Sequence, residues 1–313
     1  MPAKPMNPCR LRREPSARQR RNPARAFWLL ALLCNTGCAG AQAVEVAVPA
    51  ASAASAAATP AEPAASAPPP AAKPAWDGVI GLTTAYRPRY PGAPRSALRA
   101  TPGFYLRYGR FTATNASGFA PRRSEDVARG VGVDVLNGER LSASLSLRYD
   151  NGRKEGSTDA YAGLGNIRPT ARARLAASWD FRGPWRLGAS WNADAMGRGN
   201  GGVGDISAGW ETVLGARTTG SISSSLSFGD AHYMQAYYGI TPAQSSRSIY
   251  PAYQAKAGWR DAGLSFNLRH DFSDDWVALG NLGTTRLLGS AAGSPITRSR
   301  NGWGLGAGIG WRF

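Results

Sequence analysis

The chain ends with the stretch NGWGLGAGIGWRF, which runs from Asn301 to Phe313. Apolar residues occupy every second position of this stretch, and glycine fills the positions between them as far as Arg312. A period of two places alternate residues on opposite faces of a β-strand. One face is therefore apolar, and it consists of Trp303, Leu305, Ala307, Ile309, Trp311 and Phe313. The other face is almost bare, so the strand leaves room beside it for side chains from other strands.

The same alternation recurs upstream, within residues 76–313. Leu141 to Asp150 alternates apolar residues with polar ones, and Ala171 to Phe181 and Trp185 to Asp194 repeat the pattern. No window of this region keeps an apolar period of 3.6 residues, and no apolar run is long enough to form a membrane-spanning helix. The sequence therefore predicts an all-β fold of antiparallel strands. Because a soluble sandwich and a membrane barrel both alternate in this way, the turns must distinguish them.

The connections between these strands alternate between short and long. Tight turns are predicted near Gly109, Gly138, Gly183, Ala216 and Asp274, and longer polar connections such as 152–168 and 231–248 separate them. Aromatic residues cluster beside the short turns, namely Tyr108, Phe111, Trp179, Phe181, Trp185, Phe272, Trp276, Trp311 and Phe313. Short turns at one end, long loops at the other and an aromatic girdle are typical of bacterial outer-membrane barrels.

The spacing of the strands between these turns gives about twelve, so the predicted fold is a transmembrane antiparallel up-and-down β-barrel. The count depends on residues 253–272, where the outward apolar set changes parity. It passes from Tyr253, Ala255, Ala257 and Trp259 to Leu264, Phe266 and Leu268. We interpret Arg260 to Gly263 as a bulge within one long strand, whereas a tight turn there would change the count.

Two segments precede the predicted barrel. Residues 1–43 combine a basic start, the apolar run Phe27 to Leu33 and a small-residue cleavage motif at Ala39 to Ala41, which predicts a secretory signal peptide. Residues 44–75 consist almost wholly of alanine, proline and serine, which predicts a disordered linker in the periplasm. An exported barrel belongs in the outer membrane of a Gram-negative cell, where we expect it to contact lipids and lipopolysaccharide.

An aromatic carboxyl-terminal residue preceded by apolar residues at alternate positions resembles the signal that the barrel-insertion machinery reads. We therefore expect this machinery to be a partner of the chain. The residues predicted to carry the signal are Trp303, Leu305, Ile309, Trp311 and Phe313.

The composition argues against several classes of function. All three cysteines lie in the first 38 residues, so the predicted mature chain has neither disulfides nor thiolate metal ligands. The formal net charge of +17 falls to +10 without residues 1–43, and the remaining basic residues form no nucleic-acid-binding stripe. His232 and His270, the only histidines, are predicted at opposite ends of the barrel. Gly199 to Gly204 lacks phosphate-loop spacing and predicts a flexible loop. We therefore expect no catalytic site, cofactor, metal site or nucleic-acid partner.

Charged residues on the face opposite the apolar set are the candidate functional residues. Parity directs eight of them toward the lumen, namely Arg148, Arg172, Arg174, Arg186, Asp150, Asp180, Asp194 and Glu211. If they pair across the lumen, they plug the barrel with a hydrogen-bonded network. If they do not, they line a narrow pore that repels cations. Acidic partners on neighbouring strands favour the plug.

Four ordered stretches within residues 76–313 resemble the MipA/OmpV family of outer-membrane proteins, which is named after the MltA-interacting protein. They are Gly81 to Tyr90, Tyr149 to Arg153 with Gly163 to Ile167, Tyr237 to Thr241 followed by Tyr250, and Leu287 to Ile296. Asn166 and Gly293 stand where the family usually has acidic residues. The likeness therefore covers the whole predicted barrel, with a departure in each of two loops.

The resemblance implies a function that composition and periodicity do not. It implies a non-enzymatic scaffold that brings a lytic transglycosylase together with a penicillin-binding protein during peptidoglycan remodelling. A narrow porin or channel for small solutes and a surface adhesin remain alternative interpretations.

Overall fold

The computed structural model describes residues 76–116, 130–181 and 183–313. The predicted signal peptide (1–43) and linker (44–75) lie outside these residues. The described chain forms twelve antiparallel strands, which close into a barrel in which each strand pairs with its sequence neighbours and β1 pairs with β12. The predicted fold class and strand number are confirmed. The strands are β1 (Trp76–Pro88), β2 (Ser96–Tyr108), β3 (Phe111–Thr114), β4 (Gly130–Asn137), β5 (Leu141–Asp150), β6 (Thr170–Asp180), β7 (Trp185–Asp194), β8 (Val203–Gly215), β9 (Thr218–Gly229), β10 (Gly258–Asp271), β11 (Trp276–Leu287) and β12 (Asn301–Arg312).

The predicted alternation of short and long connections is also confirmed. The five tight turns lie at one end of the barrel, here called the turn end, together with the start of β1 and the end of β12. The long connections lie at the opposite end, here called the loop end. They contain the helices α1 (Ala231–Tyr238), α2 (Pro242–Ser245) and α3 (Gly289–Gly293) and the 3-10 segments Glu155–Ser157 and Asp159–Tyr161. None of the helices in the described part of the chain is long and apolar enough to cross a membrane.

Period two governs the outer surface of the barrel. Most large apolar residues of the strands face outward and are exposed, and the aromatic residues beside the tight turns lie on this face as predicted. In β12, Trp303, Leu305, Ile309, Trp311 and Phe313 are all exposed. A soluble monomer rarely leaves so large an apolar surface in water, so the belt requires an apolar surrounding such as a bilayer.

Strand β10 contains the predicted bulge but is shorter than predicted. Its register with β9 shifts between Trp259 and Asp261, which leaves Arg260 as the extra residue. Tyr253, Ala255 and Ala257, however, precede the strand, so their assignment to it was wrong. The reason is tertiary: Tyr253 forms an isolated bridge with Ile240, and Ala255 is buried in a cluster of loop residues.

The glycine-rich stretch before β8 also differs from its prediction as a flexible loop. Strand β8 already begins at Val203. The side chain of Asn200 is buried, and its amide donates a hydrogen bond of 2.8 Å to the carbonyl of Arg168. Gly199 and Gly201 have φ angles of 81° and 59°, which glycine adopts without strain. The glycines therefore shape a fixed turn.

Candidate functional site

The loops at the loop end share one apolar cluster, here called the loop cap. Its buried members come from four loops and are Tyr90, Ala93, Ala160, Leu164, Ile240, Tyr250 and Ile296. In the circle of strands, the β5–β6 loop lies directly opposite the loop that follows β11. Loops from opposite sides can share a core only if they reach across the mouth. The loop cap therefore spans the opening of the barrel.

Hydrogen bonds and a close backbone approach fasten the β5–β6 loop to the β9–β10 loop. The amide of Gln244 donates to the carbonyl of Leu164 at 2.6 Å, and Arg153 donates to the carbonyl of Tyr237 at 3.5 Å. Gly163 has a φ angle of 78°, and a Cβ added there would lie 2.1 Å from the carbonyl oxygen of Arg247. Only glycine fits this crossing, because any side chain would both strain the backbone and push the two loops apart.

The other side of the loop cap is fastened in the same way. The hydroxyl of Ser294 donates to the carbonyl of Tyr238 at 2.6 Å, which joins the β11–β12 loop to helix α1. The backbone N–H groups of Arg298 and Ser299 both donate to the carbonyl of Gly92 at 3.0 Å, which joins the same loop to the β1–β2 loop. The four loops thus form one connected structure.

Tyrosine phenols in the cap are shielded from water. Burial raises the pKa of Tyr161 to about 12, although the guanidinium of Arg153, 5.1 Å from its ring centroid, opposes the shift. Burial likewise raises the pKa of Tyr237 to about 12, and the charge of Asp150 adds to this shift. These phenols stay neutral at physiological pH and can act as hydrogen-bond donors.

Beneath the cap, Arg172 is the most completely enclosed of the predicted lumen charges. It is fully buried, and its Nε donates to Asp150 at 2.5 Å. Its Nη1 donates to the carbonyl of Gly201 at 3.0 Å, and its Nη2 donates to the carbonyl of Asn200 and to the hydroxyl of Tyr237, both at 3.3 Å. The Tyr237 hydroxyl in turn donates to Asp150 at 3.2 Å. Arg172 therefore connects strands β5 and β6 to the β7–β8 loop and to α1.

The other predicted lumen residues divide into two groups. Asp180 and Arg186 form a bidentate pair, with distances of 2.8 and 2.9 Å. Asp194 accepts from the hydroxyl of Thr170 and from backbone N–H groups of the β7–β8 loop, so it organises that loop. The remaining three also face the lumen, from strands β5, β6 and β8, and are Arg148, Arg174 and Glu211.

The pairs Arg172–Asp150 and Arg186–Asp180 run along the wall, whereas the hydrogen-bonded plug across the lumen stays a prediction. Asp150 and Arg172 lie on adjacent strands, as do Asp180 and Arg186. Because adjacent strands are only about 5 Å apart, such pairs form without spanning the barrel. What crosses the mouth is the loop cap, a feature that strand parity does not reveal.

The turn end is narrowed in a different way. Val79, Tyr105, Ala116 and Val277 form a buried apolar cluster inside the wall of β1, β2 and β11, here called the lumen floor. Beyond it, Asp271 accepts hydrogen bonds from Arg312 and lies 3.4 Å from Arg269. Apolar and ion-paired side chains therefore occupy this part of the interior.

The two histidines lie at opposite ends of the barrel, as predicted. His270 bonds Thr218 at 2.9 Å and packs against Phe272 on the outward face at the turn end. His232 lies in α1 at the loop end. Within residues 76–116, 130–181 and 183–313, no group of three or more His, Cys, Asp or Glu residues could hold a metal ion.

Sequence reasoning missed the partners that come from the loops. Tyr233 and Tyr237 stack at 4.6 Å and lie over the guanidinium of Arg172, with its Cζ 5.4 Å and 5.9 Å from their ring centroids. A tyrosine-bearing loop was visible in the sequence, but nothing in its spacing indicates that it folds inward.

Comparison with known proteins places the fold in a family. Residues 80–313 match the family of the MltA-interacting protein MipA. The chain is also 25% identical over 175 residues to YiaT of Escherichia coli O157:H7, a protein provisionally named as an outer membrane protein; the match covers 55% of this chain and 69% of YiaT. The corresponding match to YiaT of Escherichia coli K12 is 26% over 145 residues and covers 46% of this chain and 57% of that protein.

Solved outer-membrane proteins resemble the chain only weakly. The channel DcaP of Acinetobacter baumannii has 9% identity and a TM-score of 0.32, covering 76% of this chain and 96% of its own. The toluene transporter TodX of Pseudomonas putida has 7% identity and a TM-score of 0.34, covering 77% and 90%. Overlaps this partial say nothing about what the present barrel does. The family match over three quarters of the chain is decisive: this protein is an outer-membrane β-barrel of the MipA family.

Proposed function

We propose that this protein is a non-enzymatic scaffold that docks peptidoglycan-remodelling enzymes, a lytic transglycosylase and a penicillin-binding protein, at the inner surface of the outer membrane. The proposal rests on the family, whose name-giving member is described as interacting with MltA. The observation that carries it further is the loop cap, because a mouth crossed by packed loops favours a docking role over free passage of solutes.

The residues inside the barrel also favour a scaffold over a diffusion pore. A general diffusion pore needs a continuous water-filled path, whereas here the loop cap crosses the loop end and the lumen floor occupies part of the turn end. Arg172, which pairs with Asp150 on the neighbouring strand, also holds the β7–β8 loop and α1 to the wall. We therefore rank the narrow channel below the scaffold. The adhesin ranks below both, since the tyrosines expected to face a surface ligand pack in the loop cap or in the separate cluster around α1.

The absence of catalysis is proposed on the chemistry of the two histidines. A serine or threonine nucleophile needs a histidine that a third group orients. The pair Thr218–His270 lies on the lipid-facing side, and its other described neighbour is the ring of Phe272, which cannot accept the imidazole proton. Such a pair is suited to the membrane interface and not to acyl transfer.

The turn end is the proposed docking face, because short turns of bacterial barrels face the periplasm. It presents exposed charges of both signs, including Glu139, Arg140, Arg217, Asp274 and Asp275. Arg217 and Asp274 lie 3.7 Å apart and are both largely exposed. A partner can therefore contact them without breaking a buried interaction.

Co-purification from envelope fractions tests the proposal. The full-length barrel, tagged and extracted in mild detergent, is expected to retain a lytic transglycosylase. Reversing two turn charges together, Arg217→Glu and Asp274→Arg, is expected to weaken that retention while preserving an ion pair. The matched control is Lys256→Glu, an exposed charge at the loop end, which is expected to change nothing.

A variant without residues 44–75 separates the turns from the linker as the docking element. Loss of the partner only in this variant would assign docking to the linker. Retention of no transglycosylase or penicillin-binding protein by the unmodified barrel would overturn the scaffold proposal.

A further inference from the structure

A cavity of about 690 Å³ lies inside the barrel near the loop end, against strands β11, β12, β1 and β2. Its walls come largely from small residues, among them Ala85, Gly283, Gly302, Gly304 and Gly306. The glycine face of β12 therefore leaves the space that the sequence predicted. Three tyrosines from the loops or their edges line the same cavity, namely Tyr90, Tyr233 and Tyr238.

The charges around this cavity are strongly unbalanced. Five arginines line it, namely Arg87, Arg89, Arg99, Arg260 and Arg300, and the one carboxylate among the lining residues that the structure describes is Asp261. Asp261 already pairs with Arg260. Arg89, Arg99 and Arg300 therefore have no acidic side chain to neutralise them among these described lining residues, and we call this cavity the arginine chamber.

The register of β1 and β2 fixes the direction of Arg99. It lies directly opposite Ala85, so both side chains leave the sheet on the same face, and Ala85 lines the cavity. Arg286 on β11 provides the contrast. It neighbours Thr285, which lines the chamber, but adjacent residues of a strand point to opposite faces, so Arg286 faces outward. Arginines that serve lipid headgroups would be placed like Arg286 and not like Arg99.

Arg89, Arg99 and Arg300 are exposed and line the cavity, so an anion that enters it can reach their guanidinium groups. Arginines that line one cavity also repel one another, and a bound anion relieves that repulsion. Guanidinium groups bind phosphates and carboxylates through paired, directional hydrogen bonds. A volume of about 690 Å³ is within the range of small-molecule sites.

We propose that the arginine chamber binds a small organic anion that carries at least two phosphate or carboxylate groups. Several negative groups are needed because Arg89, Arg99 and Arg300 come from separate elements: the β1–β2 loop, β2 and the β11–β12 loop. The tyrosines and the glycine backbone contact the organic part of the ligand. This binding site is separate from the proposed docking face at the turn end, and neither proposal depends on the other.

Calorimetric titration of the full-length protein in detergent tests the site with three probes: glucose 1,6-bisphosphate, citrate and uncharged glucose. At least one of the two anions is expected to bind, and the tighter of them assigns the chamber to phosphates or to carboxylates. Glucose is expected not to bind. Raising sodium chloride from about 50 mM to about 500 mM is expected to weaken binding severalfold, because salt screens the attraction.

Substitutions locate the site. Arg99→Gln and Arg300→Gln are each expected to raise the Kd of the bound anion by about tenfold, since each removes a charge-assisted hydrogen bond. Arg286→Gln is the matched control and is expected to leave the Kd unchanged. Folding of every variant is checked by the heat-dependent shift in electrophoretic mobility of intact barrels.

Filling the cavity gives an independent test. A Cβ at Gly306 would meet its nearest neighbours at 3.5 and 3.7 Å, which is ordinary contact, so Gly306→Leu is expected to fold and to abolish binding. The control Gly209→Leu lies on β8, away from the chamber, where the nearest atom is 3.8 Å from an added Cβ.

Three results would overturn the proposal. The first is a wild-type protein that binds neither anion, or that binds glucose as tightly. The second is an equal loss of binding in Arg286→Gln and Arg99→Gln. The third is a folded Gly306→Leu variant with unchanged affinity.

Discussion

Replacing Arg172 by methionine is expected to destabilise the barrel more than the same change at any other predicted lumen arginine. The methionine keeps most of the length and volume of the side chain but removes every polar contact. Asp150, whose side chain is only 19% exposed, loses its partner at 2.5 Å. It keeps the hydroxyl of Tyr237 at 3.2 Å and the N–H of Gly152 at 3.0 Å.

The size of the effect follows from that geometry. Removing one member of a buried ion pair typically costs about 3–5 kcal/mol, because the other charge is left buried. The complementary change Asp150→Leu leaves Arg172 fully buried with only two carbonyls and one hydroxyl, and should cost a similar amount. The double variant buries neither charge. It should therefore be more stable than the sum of the single effects by about 2–3 kcal/mol.

Urea unfolding of the barrel in lipid vesicles, followed by tryptophan fluorescence, measures these free energies for a double-mutant cycle. The matched control is the exposed pair formed by Arg217 and Asp274, for which Arg217→Met is expected to change nothing measurable. The reasoning is refuted if the coupling between residues 172 and 150 is below about 0.5 kcal/mol, the level at which independent sites are additive. It is also refuted if Arg172→Met costs no more than Arg217→Met.

Three further predictions concern the loops and the last strand. Gly163→Ala should open the loop cap, because the added Cβ would meet a facing carbonyl. Protease cleavage of the loops and conductance in planar bilayers should therefore both increase. The control Gly165→Ala should change neither, because that glycine has a similar φ angle of 70° but nothing within 4 Å of an added Cβ. Because burial raises the pKa of Tyr237 to about 12, the phenol's contribution to stability should be complete below pH 10 and lost as the pH rises toward 12. Absorbance of the phenolate near 295 nm measures the ionisation. Phe313→Ala should lower the fraction of chains that reach the folded, heat-shifted form in cells, whereas Phe272→Ala, also exposed and outward at the turn end, should not.

Each of these predictions has an outcome that contradicts it. Equal protease sensitivity of Gly163→Ala and Gly165→Ala would mean that backbone strain, and not the crossing of the two loops, sets the stability of the loop cap. A normal phenolate titration near pH 10 would place Tyr237 in water. Equal folding yields after Phe313→Ala and Phe272→Ala would remove the insertion signal from the carboxyl terminus.

The strands were predictable because lipid and lumen impose opposite demands on alternate residues. Leu141 to Asp150, predicted as one strand with Leu145 outward and Ser146 inward, forms strand β5 with Leu145 exposed and Ser146 buried. In a membrane barrel every residue of a strand obeys this rule, so even modest alternation is informative. The bulge at Arg260 was visible for the same reason, as a single change of parity.

The loop cap could not be predicted, because loops obey no period. Tyr253 and Ala255 continued the alternation of β10 by coincidence, although they pack among loop residues. The partners of Arg172 illustrate the same limit. Asp150 is found from strand parity, but the carbonyls of Asn200 and Gly201 and the ring of Tyr237 come from two separate loops whose approach depends on tertiary packing.

Strand parity also fails to distinguish an arginine that is paired with a carboxylate from one that could bind a ligand. On β6 and β7 each inward arginine with a neutralising partner has an aspartate on the adjacent strand, as Arg186 has Asp180. On β2, Arg99 also faces the lumen and is more exposed than Arg186, but the strand beside it presents Ala85 at the paired position. Whether an inward arginine is part of the wall or part of a binding site therefore depends on the residue across the register.

Strand β12 connects these observations. Its apolar face meets lipid and ends in Phe313, whose ring covers Gly78 of β1 where the barrel closes. Its glycine face supports no lumen side chain between Gly302 and Gly310, so no carboxylate from β12 can neutralise the arginines nearby. Insertion into the membrane depends only on the apolar face. It would tolerate any small neutral residue on the opposite face. A fully bare second face is what an internal cavity requires, and this is why the residue that most directly tests the arginine chamber is Gly306 and not an arginine.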